Sequence, residues 1–123
     1  MGGYSMQHCN FCLAIALLHR SMSRRVENKQ FHLIRAFSFL FHNAAAANKQ
    51  TATYPESLYN LGRAFHFVGM LSHAVHYYQQ ALEHLQSIGN LRFRIGYNLH
   101  LIFLKAGNFH LAKKMLNLHC RIE

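Results

Sequence analysis

Cys9 and Cys12 form a Cys-x-x-Cys beside His8, a spacing that supplies half of a tetrahedral zinc site or a dithiol redox pair. The other half has no counterpart: Cys120 stands alone at the far end, and no second Cys-x-x-Cys or His-x-x-x-His follows at a ligand spacing. The three cysteines therefore read as small hydrophobes in a reducing compartment rather than as a disulfide framework. His73 and His76, three apart on one predicted helix, are the nearest pair among 11 histidines with metal-like spacing. Acid chemistry lacks its parts. The carboxylates are Glu27, Glu56, Glu83 and Glu123, with no Asp, so there is no orienting carboxylate for a triad and no paired acids. The expectation is a protein that is not an enzyme, with no metal and no cofactor.

The charge points to acidic partners. Lys plus Arg number 13 against 4 Asp plus Glu, a formal net charge of +9, and long-range attraction of this kind reports sign rather than identity. Nucleic acid, an acidic protein segment and an anionic surface all satisfy it. The cations are spread along the chain, adjacent only at Arg24-Arg25 and Lys113-Lys114, which argues against a polybasic anchor and against a concentrated nucleic-acid reader. The apolar run Phe11 to Leu18 has no basic segment before it and is much shorter than a membrane span, so no signal peptide, membrane helix or membrane partner is expected.

The elements that would carry these residues are helices. At 123 residues and 51% hydrophobic content, with Pro once and Gly seven times, the chain suits one helical domain with a real core. Its organisation is repetitive. Tyr59, Asn60, Leu61, Phe65, Gly69 and Ala74 recur as Tyr97, Asn98, Leu99, Phe103, Gly107 and Ala112, at the constant offset of 38 residues that separates Tyr59 from Tyr97. The periodicity predicts a first helix over about Gln7 to Met22 and a second from about Asn28 to the Ala44–Ala47 stretch. A third runs from Pro55 to Phe67, and a fourth to about Gln86 with Ser72 as its N-cap. The fifth covers about Leu91 to Lys105 and the sixth about Phe109 to Cys120. The fold class is all-α, a short right-handed α-solenoid of about three helical hairpins (7–47, 55–86 and 91–120) forming a single domain over 1–123. Helix one (Phe11, Leu13, Ile15) and helix six (Phe109, Leu111, Leu116) are apolar where solenoid ends are usually polar. The expectation is that the chain is part of a longer array or that its ends are covered by a partner.

The string Tyr59-Asn60-Leu61-Gly62-Arg63-Ala64-Phe65-His66, followed by Val68-Gly69, Ala74-Val75-His76-Tyr77-Tyr78 and Ala81-Leu82-Glu83, resembles a tetratricopeptide repeat with Pro55 at its first position. The repeat starting at Phe93 departs from it: His100 stands where Gly62 stood and His119 where Ala81 stood. A narrower resemblance covers residues 9–121. Ala36-Phe37-Ser38-Phe39-Leu40, Glu56 to Arg63, Ala74 to Glu83, Tyr97-Asn98-Leu99 and the late Cys120 are similar to the C-terminal end of the tetratricopeptide subunit of general transcription factor IIIC. That resemblance implies a nuclear scaffold supporting initiation by RNA polymerase III. It also implies other subunits of factor IIIC and factor IIIB as partners, with indirect or nonspecific DNA contact, and a chain that is the C-terminal part of a longer array.

The repeat resemblance implies an inner face carried by the first helix of each hairpin. In the central unit these residues are Glu56, Tyr59, Arg63, His66 and Phe67; in the last they are Arg94, Tyr97, Leu101, Leu104 and Lys105. Tyr and Arg on such a wall offer large area and carboxylate recognition at modest entropy cost, so Glu56, Tyr59, Arg63, His66, Arg94, Tyr97 and Lys105 are the candidate partner-binding groove. Two other readings compete. A co-chaperone-like adaptor would grip a peptide carboxylate with Asn60 and Asn98, but Phe11 and Ile15 occupy places where that clamp needs Lys and Asn. A basic nucleic-acid-associated module would rest on the +9 charge alone.

Overall fold

The computed structural model describes residues 29–85 and 89–120, and all its regular structure is helical: α1 (Lys29–Ala46), α2 (Thr53–Val68), α3 (Leu71–Glu83), α4 (Asn90–Lys105) and α5 (Phe109–His119). The predicted helix over Gln7 to Met22, with His8, Cys9 and Cys12, lies outside the described residues. Successive helices pack in chain order, most closely within the pairs α2/α3 and α4/α5, which is a short helical repeat array. No helix among the described residues is long and apolar enough to cross a membrane.

Local sequence sets each boundary. Asn48 closes the turn after α1: its Oδ1 accepts from the Gln50 N–H at 3.0 Å, and its carbonyl accepts from the Thr51 N–H at 3.0 Å and hydroxyl at 2.8 Å. Helix α2 begins at Thr53 rather than Pro55, because Pro55 still falls in the first turn, where an amide proton has no helical partner. The same small residue ends the first helix of both hairpins. Gly69 (φ 88°) and Gly107 (φ 80°) are left-handed, and the amides of Met70 and Asn108 reach back to the carbonyls of Phe65 and Phe103 at 2.9 Å. The predicted Ser72 cap is corrected: the N-cap of α3 is Met70, with no side-chain bond, and Ser72 sits inside the helix. The equivalent Asn108 does cap α5, accepting from the Leu111 N–H at 3.2 Å.

The core runs through the array from Ala36 and Leu40 of α1, through Leu61 and Ala64 of α2, to Ile95 and Leu99 of α4. Between α1 and the central hairpin the filling is aromatic. Phe65 lies 4.6 Å from Phe37 and is stacked at 5.4 Å and 3° on Tyr77, which meets Phe41 edge-on at 6.0 Å.

Two helix crossings decide how closely the pairs approach. A Cβ on Gly62 would lie 2.5 Å from Cδ1 of the fully buried Tyr78, so the bare α carbon is what lets the phenol ring lie between α2 and α3. In the last hairpin the close approach sits one turn away: a Cβ on Gly96 would lie 2.4 Å from Cβ of His119. The repeat-equivalents of Gly96 and His119 are Leu58 and Ala81, both buried. Bulk that the central hairpin places on its first helix is placed on the second helix in the last one. His119, a departure from the repeat pattern in sequence, is compensated by Gly96. His100, the other departure, turns its Nδ1 to the Ala112 carbonyl at 2.9 Å and so replaces packing with a polar tie to α5.

Gly96→Leu is expected to cost about 1–3 kcal/mol, the range for overpacking a closed site. Adding His119→Ala, which recreates the Leu58/Ala81 arrangement, should recover roughly half of it or more in urea melts. Simple additivity of the two losses would show that these positions do not share one space.

Candidate functional site

The expected groove residues come from α2 and α4, and the structure distributes them over three settings. Tyr59, Arg63, His66 and Lys105 belong to one cluster. The Arg63 guanidinium carbon lies 5.8 Å from the centre of the Tyr59 ring, and that ring lies 5.9 Å from Tyr78. Tyr59 itself is only 8% exposed, so it acts as the floor beneath Arg63 rather than as open contact area. Nδ1 of His66 lies 3.3 Å from the Tyr78 hydroxyl, and Nδ2 of Asn98 donates to the same oxygen at 3.4 Å. A hydroxyl that accepts from Asn98 keeps its own proton for Nδ1 of a neutral His66, and the three residues tie α2, α3 and α4 at one buried point. Asn98, the would-be clamp residue, thus has an amide proton committed inside the protein.

Arg94, Tyr97, Leu101 and Leu104 occupy the outward surface of α4, together with the exposed Lys105. Tyr97 stacks on Phe93 at 6.5 Å and 8°, and both rings are 45% exposed. Glu56 lies apart from these. It lines a cleft of about 290 Å³ where the start of α2, the end of α3 and the start of α4 meet, and Arg92 and His84 line the same cleft. Arg92 was not among the expected site residues, because only the meeting of three helix ends brings it near Glu56. Phe67, near the other end of α2, is 43% exposed.

The site's electrostatics are cationic with buried neutral imidazoles. Burial lowers the pKa of His66 from its ordinary 6.5, and the Lys105 charge lowers it further. Burial, and then the Arg92 charge, lowers that of His119, whose Nδ1 accepts from Nε of Arg92 at 3.2 Å. Burial raises the Tyr78 phenol and the Cys120 thiol, so both are held neutral and inert at ordinary pH. Among the described residues no three His, Cys, Asp or Glu side chains converge to hold a metal ion. What remains is a surface of cations and aromatic rings on a rigid helical support, suited to docking.

No family model matches the chain. Curated proteins do. It is 32% identical over 119 residues to transcription factor tau subunit sfc4 of Schizosaccharomyces pombe, 33% over 122 residues to human general transcription factor 3C polypeptide 3, and 30% over 115 residues to the transcription factor tau 131 kDa subunit of Saccharomyces cerevisiae. Over the matched region this chain is homologous to a stretch of that factor IIIC subunit. The matches cover 84%, 92% and 92% of the chain, but only 12%, 13% and 11% of the relatives' own length. The chain spans about an eighth of the proteins it resembles.

The lowered histidine pKa values set a pH dependence. His66 and His119 bind protons less readily in the folded chain than in the unfolded one, so the unfolded state gains more protons as the medium acidifies. Their contribution to stability is complete above the unfolded value of 6.5 and is lost as pH falls through the lower folded values. The melting temperature is expected to fall between about pH 7.5 and pH 5, with a shallower fall in His66→Gln/His119→Gln. An identical slope in both proteins would contradict the assignment.

Proposed function

We propose that this chain is a non-catalytic protein-interaction scaffold, a tetratricopeptide-type docking piece of factor IIIC character that works in the nucleus in assembly of the RNA polymerase III initiation complex. Its partners on this reading are other subunits of factor IIIC and factor IIIB, and DNA is touched at most indirectly or through nonspecific phosphate contact. The docking face is built from Arg63, His66, Arg94, Tyr97 and Lys105, with Tyr59 as its packed floor and Glu56 at its edge.

The observation that carries the reading is the match to subunits of one transcription factor in three organisms, over 84–92% of the chain. The geometry adds a reason for docking. Arg63 lies over Tyr59, the Lys105 charge acts on His66, Arg94 and Lys105 are both exposed on α4, and Tyr97 supplies aromatic area, which together suit a partner with carboxylates and apolar groups. The co-chaperone-like adaptor is less well supported, since Asn98 is engaged by Tyr78.

Arg63→Glu with Arg94→Glu is expected to weaken capture of factor IIIC and IIIB subunits about tenfold or more while circular dichroism stays helical. Undiminished capture by a folded variant would remove these residues from the face. Strong salt-sensitive DNA binding with no capture of any of those subunits would replace the reading with the nucleic-acid module.

A further inference from the structure

The repeat contains its own precedent for an occupied groove. In the centre of the array, Tyr59 and His66 of α2 and Leu71, Val75, Tyr78 and Leu82 of α3 line one side of a hairpin, and a helix is laid against it: α4 packs on α3 and sends Asn98 to the Tyr78 hydroxyl. Every one of these six side chains is buried or half-buried. One offset of 38 residues along, from Tyr59 to Tyr97, the same groove recurs as Tyr97 and Leu104 of α4 with Phe109, Lys113, Leu116 and Cys120 of α5. No hairpin beyond α5 covers it among the described residues. Tyr97 is 45%, Leu104 40% and Phe109 68% exposed, although residues 109, 113, 116 and 120 keep the three- and four-residue spacing, and 97 and 104 the seven-residue spacing, of helix stripes made to be packed against.

The charge around this groove is one-sided. Between Asn90 and Cys120 the cations are Arg92, Arg94, Lys105, Lys113 and Lys114, and there is no Asp or Glu. Lys105 follows Leu104 at the end of α4, Lys113 is itself one of the recurring groove positions on α5, and both are exposed. A second copy of the chain would bring the same cations to the same place and be repelled, in a protein whose net charge is already +9. Nucleic acid answers the charge but leaves Leu104, Phe109 and Leu116 wet.

We propose that the α4/α5 end groove seats an acidic amphipathic helix of a partner protein, apolar side inward on Tyr97, Leu104, Phe109 and Leu116, with carboxylates against Lys105 and Lys113. This rests on the docking reading above and names the partner's chemistry at an adjoining surface. The bound helix takes the place that α4 takes on the preceding hairpin, and the fit is set by stripe spacing on both sides.

The probe is a labelled helical peptide of about 18 residues, five turns, with Leu at positions spaced three and four apart and Glu on both flanks. Its controls are a Lys-for-Glu version, a phase-scrambled acidic version and a duplex DNA of equal length. With the full 123-residue chain, the phased acidic peptide should bind about tenfold more tightly than either peptide control, a difference in the range of a few good interface contacts. Leu104→Gln/Phe109→Gln should lose that advantage, and Lys105→Glu/Lys113→Glu should weaken binding several-fold while lowering its salt sensitivity. Amide shift mapping on the unmodified chain, which needs no variant to fold, should place the perturbations on 97–104 and 109–120. Equal binding of the scrambled peptide, perturbations elsewhere, tighter binding of the duplex at this groove, or self-association abolished by Phe109→Gln would each overturn the proposal. If the peptide does not bind but Arg63→Glu/Arg94→Glu still abolishes capture of factor IIIC subunits, this inference falls and the docking reading stands; if those substitutions also leave capture intact, the α2/α4 docking face falls with it.

Discussion

Two helices can interlock only where one of them withdraws its bulk, and the two described hairpins, α2/α3 and α4/α5, each meet that requirement with a glycine. At Gly62 the absent side chain makes room for Tyr78, and at Gly96 for His119. The rest depends on those approaches. Tyr78, sunk against Gly62, reaches far enough to bring its hydroxyl to His66 on one helix and Asn98 on another, so the crossing that joins α2 to α3 also fixes α4. A larger residue at Gly62 would displace the ring, and with it a polar link that spans three helices at the heart of the array.

The same constraint shapes the surface. With α4 held against α3 through Tyr78, the stripe of α4 that carries Arg94, Tyr97 and Lys105 is turned away from the core. Docking faces built on rigid helices lose less freedom when a partner binds than faces built on loops. Tyr59 and Tyr97 show how position in the array decides a residue's use. They are equivalent in the repeat, yet one is covered at 8% exposure and serves as a floor, while the other stands 45% open beside Phe93.

Much of this was legible in the sequence because the hairpin signals are local. The offset pattern, Gly69 and Gly107 at left-handed turns and the polar break at Asn48 each act over a few residues, and the helices fall where those signals place them. What escaped depends on pairs far apart in the chain. His119 looked like damage to the repeat because the signal that redeems it, Gly96, is on another helix and carries no side chain to notice. Ser72 looked like a cap because its type is right, but the Schellman turn at Gly69 commits the chain to enter α3 at Met70. Tyr59 read as open surface because repeat position alone does not say that Arg63 and Tyr78 close over it. Glu56 and Arg92 share a cleft that only the joining of three helix ends creates. The placement of the candidate residues on the first helices was therefore legible, and their division among a packed floor, an open stripe and a separate cleft was not.

The measurement that reaches the central claim most directly is the proton spectrum of Gly62 and Gly96 in the folded chain. An α carbon pressed against the face of Tyr78 should show Gly62 Hα resonances shifted well upfield by the ring current, with strong cross-relaxation to the Tyr78 ring protons, and Gly96 Hα should cross-relax to His119 Hβ. Glycine α protons at their unfolded positions, without contact to either side chain, would mean that the helices do not interlock there, and the array and both docking surfaces derived from it would go with that contact.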